Sequence, residues 1–221
     1  MRLILTVWLL VVAPFSYAGT ILIMGDSISA AFGIDKAQGW VELLDRKLLQ
    51  ECDSNDVSVT ANSVAKIVVK NASVSGETTA GGLARLPGLL AEVQPSLVVI
   101  ELGGNDGLRG LSPNVMQRNL QSMVELSRDA GAKVVLLGIH MPSNFGAAYR
   151  KLFDDAYLRV VSATDVPFMP FFLDGLLDDP VMMQDDGIHP TAAAQPTLLD
   201  NAWTVMAEEI SAVCSMAADE S

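Results

Sequence analysis

Three observations predict a single-domain, three-layer α/β/α sandwich around a central, mainly parallel, five-stranded sheet. Continuous apolar, β-branched runs alternate with helix-length segments, the pattern of strands covered on both faces. Half of the 221 residues are apolar and 18% are charged, enough for a sizeable core. No internal repeat or low-complexity linker divides the chain.

The elements follow in order. TILIM (20–24) reads as a buried strand, followed by a helix over 40–50. The polar stretch 51–64, ECDSNDVSVTANSV, is a surface loop, and AKIVVKNAS (65–73) is the second strand. Residues 78–93 are helical despite Pro87; SLVVIELG (96–103) is the third strand, followed by a helix over 113–130. KVVLLGI (133–139) is the fourth strand, and a helix covers 147–162. VPFMPF (166–171) is a fifth strand at the edge of the sheet, because Pro170 has no N–H to donate. The last helix lies within 194–213.

The first eighteen residues stand apart. Arg2 supplies a positive start, Leu3 to Ala13 an apolar run, and Ser16-Tyr17-Ala18 a small-x-small junction, the pattern of a secretory signal peptide. The apolar run is short of the ~20 residues of a membrane-spanning helix, so no stable insertion is expected. Cleavage near Ala18 leaves residues 19–221 as the domain, periplasmic or secreted, and a monomer is expected. The formal net charge of −12 becomes −13 once Arg2 is lost, a surface that repels nucleic acid and anionic lipid. The two cysteines, Cys52 and Cys214, could pair after export or remain thiols, and they are too few for a zinc site.

The chemistry gathers at strand ends. In open parallel sheets, ligands collect outside the carboxyl ends of the strands, at a topological switch. Ser27, in GDSIS, follows the first strand; Gly76, in NASVSGET, the second; Asn105, in ELGGNDG, the third. DDGIHPT (185–191) precedes the last helix. Taken alone, Ser27 is equally a nucleophile at a strand-to-helix turn or an ordinary helix cap. A nucleophilic serine needs a base, and the chain offers only His140 and His189. His189 has Asp186 three residues before it, close enough for the carboxylate to hold the ring's tautomer. His140 has no acid nearby in sequence and reads as a packed or solvated residue. The backbone N–H groups of Ser27 and Gly76 and the side-chain amide of Asn105 are suitable donors for an oxyanion. Each also has a bland reading, Gly76 as a turn and Asn105 as a loop residue. Asp26 and Asp106 read as loop-fixing residues, and Asp154-Asp155 and Asp178-Asp179 as solvated surface.

Together Gly25-Asp26-Ser27-Ile28-Ser29, Gly76, Gly103-Gly104-Asn105-Asp106 and Asp186-Gly187-Ile188-His189-Pro190 resemble the GDSL, or SGNH, hydrolase family, in its order and over nearly the whole of 19–221. Ile28 replaces the leucine of the family's name. The wider stretches NASVSGETTAGGLARLP, VVIELGGNDGLRG and MMQDDGIHP are similar to its bacterial periplasmic thioesterase, protease and lysophospholipase type; the 51–64 connector and His140 depart from that type. The resemblance implies a flavodoxin-like SGNH fold and a serine esterase acting on aryl esters, acyl-CoA and lysophospholipids of small to medium acyl chain through an acyl-enzyme. It implies a Ser27–His189–Asp186 triad, an oxyanion hole of Ser27, Gly76 and Asn105, and neither metal nor organic cofactor. The expected partner is a small ester or single-chain lipid. Leu108, Met141, Pro142, Phe145 and Met183, on loops at the active edge, are candidate acyl-contacting residues, the methionines suiting a deformable pocket.

Rival classes fit less well. An α/β-hydrolase elbow wants G-x-S-x-G, but Ser29 stands at its last position. GDSISA is neither a dinucleotide fingerprint nor a phosphate loop. A carbohydrate or short-chain acetylesterase of the same fold, and a non-catalytic binding protein, stay as alternatives.

Overall fold

The computed structural model describes residues 19–51 and 67–219. Its sheet has the order β2-β1-β3-β4-β5 with every pairing parallel. β1 (Thr20–Gly25), β3 (Leu97–Glu101) and β4 (Lys133–Leu137) form its centre, where Ile21 to Met24 and Leu97 to Ile100 are fully buried. Such strands carry side chains into both covering layers, which is why their sequences are continuously apolar. β2 (Val68–Asn71) and β5 (Phe168–Met169) are the edges and are shorter than the apolar runs that contain them. Ala65 and Lys66 lie outside the described residues, and β5 is cut to two residues between Pro167 and Pro170.

The helices divide between two layers. α1 (Trp40–Glu51) packs against α6 (Gln195–Asp219) on one face of the sheet. On the other, α2 (Thr79–Val93) packs against α4 (Pro113–Asp129), which packs against α5 (Ala147–Thr164). Trp40, Phe153, Tyr157 and Phe172 are the largest fully buried side chains. α2 runs through Pro87, as expected, and α6 extends beyond residue 213. Glu51 belongs to α1; the rest of the 51–64 connector lies outside the described residues, as do the leader and Cys52. Cys214 is disulfide-bonded.

One element departs from the sequence expectation. Residues read as a glycine-rich loop form a short helix, α3 (Gly104–Leu108), directly after β3. Gly103 opens it at φ 126, a conformation L side chains avoid, and a Cβ there would collide with the Tyr157 hydroxyl. The chain goes from β1 out to edge β2, then back across to β3, so the topological switch lies between β1 and β3. Ser27 leaves one side of that crevice and α3 the other.

Candidate active site

The turn after β1 is a coil of helix-like bonds. Ala30 N–H donates to Asp26 O at 3.0 Å and Phe32 N–H to Ser27 O at 3.0 Å. The Ile28 N–H in its first turn is capped by the Asp26 carboxylate at 3.0 Å. Asp26 thus takes the capping role that Ser27 could have filled, and the serine hydroxyl is free for another partner. That partner is His189: Nε2 stands 2.8 Å from Ser27 Oγ.

His189 and Asp186 share one tight turn. The Asp186 Oδ1 accepts the N–H groups of Ile188 and His189 at 2.9 and 3.0 Å, and Oδ2 lies 2.6 Å from His189 Nδ1. Desolvation of Asp186, the largest single influence, raises its pKa. Hydrogen bonds from the His189 ring and the two N–H groups outweigh it and bring the carboxyl down to about 2. An ionised Asp186 accepts only, so Nδ1 carries the proton and Nε2 presents a lone pair to the Ser27 hydroxyl. Serine, histidine and aspartate therefore form one unbroken line of hydrogen bonds.

The other side of the crevice is buried and acidic. Asn105, in α3, donates through Nδ2 to Asp26 Oδ2 at 2.9 Å. One amide hydrogen is thereby fixed and the second is left for another acceptor. Asp106 takes the Thr79 N–H at 2.8 Å and its hydroxyl at 2.6 Å, tying α3 to the start of α2. The loop carrying Gly76 runs beside β1, its Ala72 and Val74 N–H groups donating to Ile23 O and Gly25 O. Arg109 Nη2 then holds Gly76 O at 2.8 Å, linking that loop to the end of α3.

Beneath Ser27 lies Glu101, fully buried at the last position of β3. Its Oε2 accepts the Ser29 hydroxyl at 2.7 Å and the Asp26 N–H at 3.3 Å, while Oε1 has no partner among the described residues. Burial, reinforced by the Asp26 charge, pushes the Glu101 carboxyl well above the usual range. Burial likewise raises Asp26 to about 6, against the Ile28 N–H and Asn105 amide that favour its charge. Ser29 Oγ also accepts from the Trp40 indole at 3.2 Å, Trp40 N–H donates to Gln195 Oε1 at 2.9 Å, and Gln195 Nε2 donates to Thr191 O at 3.1 Å. The serine turn is thus joined to the start of α6, just past His189. Glu101, Trp40 and Gln195 were missed in the sequence; the one signal was a lone acid ending an otherwise apolar strand.

The candidate acyl-contacting residues fare unequally. Leu108 and Pro142 are exposed, and Phe145 and Met183 half-buried. Met141 is packed in the core, only 3% exposed, with its sulfur against Gly107 of α3. Met183 bridges to Pro190, closing the hairpin that carries the histidine turn. His140 lies apart from the serine, with Nδ1 2.8 Å from Asp154. Asp154 and Asp155, expected as solvated surface, are in exposed pairs, the first with His140 and the second with Lys151 at 2.7 Å. Among the described residues, no three His, Cys, Asp or Glu side chains are grouped to hold a metal ion, and no helix is long and apolar enough to cross a membrane.

Comparison with known proteins matches residues 23–195 to the GDSL-like lipase/acylhydrolase family. The chain is 52% identical over 189 residues to esterase TesA of Pseudomonas aeruginosa, covering 86% of this chain and 88% of that protein. It is 40% identical over 183 residues to thioesterase 1/protease 1/lysophospholipase L1 of Escherichia coli K12, covering 83% and 81% of the two. The crystal structure of the psychrotrophic esterase EstA from Pseudoalteromonas, inhibited by monoethylphosphonate, superposes with a TM-score of 0.76 at 39% identity, covering 86% of this chain and 97% of that one.

Proposed function

The chain belongs to the GDSL-like lipase/acylhydrolase family and hydrolyses esters and thioesters; on that premise we propose that Ser27 is the nucleophile, His189 the base and Asp186 the acid that orients it. The observation that carries this reading is the line Asp186–His189–Ser27, at 2.6 and 2.8 Å. Nε2 takes the serine proton as Oγ attacks the acyl carbonyl. The N–H groups of Ser27 and Gly76 and the second amide hydrogen of Asn105 receive the oxyanion. Collapse expels the alcohol or thiol, which takes its proton from His189. Water, activated by the same imidazole, then releases the acid and restores Ser27.

The substrate class proposed is a single-chain ester with a small to medium acyl group, lysophospholipids included. Each methylene leaving water contributes up to ~0.8 kcal/mol, so an apolar rim turns acyl length into binding. Leu108, exposed at the end of α3, and the half-buried Phe145 and Met183 are the proposed source of such surface. The chain's relative in Escherichia coli is named for thioester, peptide and lysophospholipid bonds alike, which accords with selection by acyl group over leaving group. We further propose that residues 1–18 are a leader removed after Ala18, giving a periplasmic or secreted enzyme. The Gly19 carbonyl accepts the Val68 N–H at 3.2 Å and β1 starts at Thr20, so this cut spares the sheet.

A serine-directed phosphonate tests the nucleophile. It should label Ser27 stoichiometrically in the wild type and label His189→Ala far more slowly. Labelling at another residue, or none, overturns the assignment. A series of acyl lengths on one alcohol tests the substrate: kcat/KM should climb from acetyl to medium chains. A sharp maximum at acetyl would favour an acetylesterase instead.

A further inference from the structure

His189 sits on an exposed turn 162 residues from the serine it serves, yet the pair needs hydrogen-bond geometry. The Nδ1 contact to Asp186 fixes one point of the imidazole. A ring held at one point still rocks about its terminal torsion, whose well is broad. Two side chains outside the triad meet this need. The Phe32 ring lies 4.5 Å from the imidazole, centroid to centroid, tilted by 39°. It remains 49% exposed, so core packing does not explain its place. Gln184 Nε2 donates to Phe32 O at 2.8 Å and to Pro190 O at 3.0 Å, and Gln184 N–H donates to His189 O at 2.8 Å. One amide group therefore fastens the loop after the serine to both ends of the histidine turn. Gly33 leaves the room: it sits at φ 76, and a Cβ there would strike Gln184 Oε1.

We propose that Phe32 and Gln184 form a positioning clamp for His189. Gln184 sets the distance between the two loops, and the Phe32 face limits rocking of the imidazole, keeping Nε2 on the Ser27 hydroxyl. The clamp rests on the assignment of His189 as base and adds two residues that never touch the reacting atoms.

Steady-state kinetics on the full enzyme test it through Phe32→Leu, Phe32→Tyr, Gln184→Glu and the double variant Phe32→Leu/Gln184→Glu. Phe32→Leu keeps apolar bulk without a flat face, and Gln184→Glu keeps shape without N–H donors. Each should lower kcat by about tenfold to a hundredfold with KM nearly unchanged, the cost of small misplacements of a reacting group. Phe32→Tyr restores the flat face and should restore kcat. The double variant should lose scarcely more than the worse single, since both act through one ring. The low-field resonance of the Nδ1 proton should broaden in the impaired variants and sharpen again in Phe32→Tyr. Wild-type kcat in Phe32→Leu, losses confined to KM, or strictly additive losses would overturn the clamp. Phe32 is half-exposed, so Phe32→Leu decides alone if the Gln184 variants unfold. Full activity in His189→Ala would instead remove the base assignment beneath it.

Discussion

The molecule holds two histidine–aspartate pairs built almost alike. His189 meets Asp186 at 2.6 Å with Phe32 against its ring at 4.5 Å; His140 meets Asp154 at 2.8 Å with Phe171 at 4.7 Å. Both rings present Nδ1 to the acid, and both are tilted on their phenylalanine by similar angles, 39° and 34°. What separates them lies beyond the ring. Nε2 of His189 has the Ser27 hydroxyl within 2.8 Å, and the His189 side chain is 17% exposed against 41% for His140. On the proposed assignment, a histidine–carboxylate pair is not by itself a catalytic unit. It becomes one when the second nitrogen faces a nucleophile and donors await the charge that develops.

Four measurements sharpen or break that contrast. The largest effect is expected from Ser27→Ala and His189→Ala, each lowering ester hydrolysis by about three or more orders of magnitude, because triad members act as a unit. Asn105→Ala should lower kcat by about two to three orders with little change in KM, as for a donor used chiefly in the transition state. Thermal melts run alongside would expose a merely structural loss. A smaller effect concerns pH. Asp26 lies at about 6 in the folded protein against an ordinary 3.8, so the fold binds this proton more tightly than the unfolded chain does. The resulting stability is complete below 3.8 and lost as pH climbs through about 6. The melting temperature of the wild type should fall relative to Asp26→Asn over that window, and a parallel pH profile for the two proteins would contradict it. The smallest effect belongs to His140→Ala, with kcat within about twofold of wild type, as for a surface pair. A loss rivalling that of His189→Ala would erase the distinction between the pairs.

How far each feature could be read in advance follows the range of the interaction that makes it. β1, β3 and β4 are written locally, as apolar runs that only a covered sheet accommodates. Asp186 and His189 are three residues apart, and one turn brings them together, so sequence spacing alone suggested the pair. Asp154 reaches His140 from fourteen residues away, across the loop into α5, and nothing local announced it. α3 was hidden for a different reason. Its Gly103-Gly104-Asn105-Asp106-Gly107 composition disfavours helix, and tertiary contacts impose one: Asp106 is anchored on Thr79, and Gly107 lies under Met141 and Phe153. The three strand-end segments and the loop before α6 could be named from the sequence, whereas the buried Glu101 bonded to Ser29 emerges only once β1 and β3 lie side by side.

The long separation of Ser27 from His189 also sets a time order. A ribosome makes the serine turn early and the histidine turn only after α5 and β5, with α6 still to come. With His189 as the proposed base, the nascent polypeptide until then carries an alcohol without that acceptor, no more nucleophilic than any other serine. Chains ended just before residue 189 should hydrolyse nothing and resist the phosphonate, and labelling of Ser27 in such a chain would refute the sequence of events. On the proposed assignment, an enzyme that attacks esters thus stays without its base until the histidine turn has been made, by nothing more than where that residue falls in the reading frame.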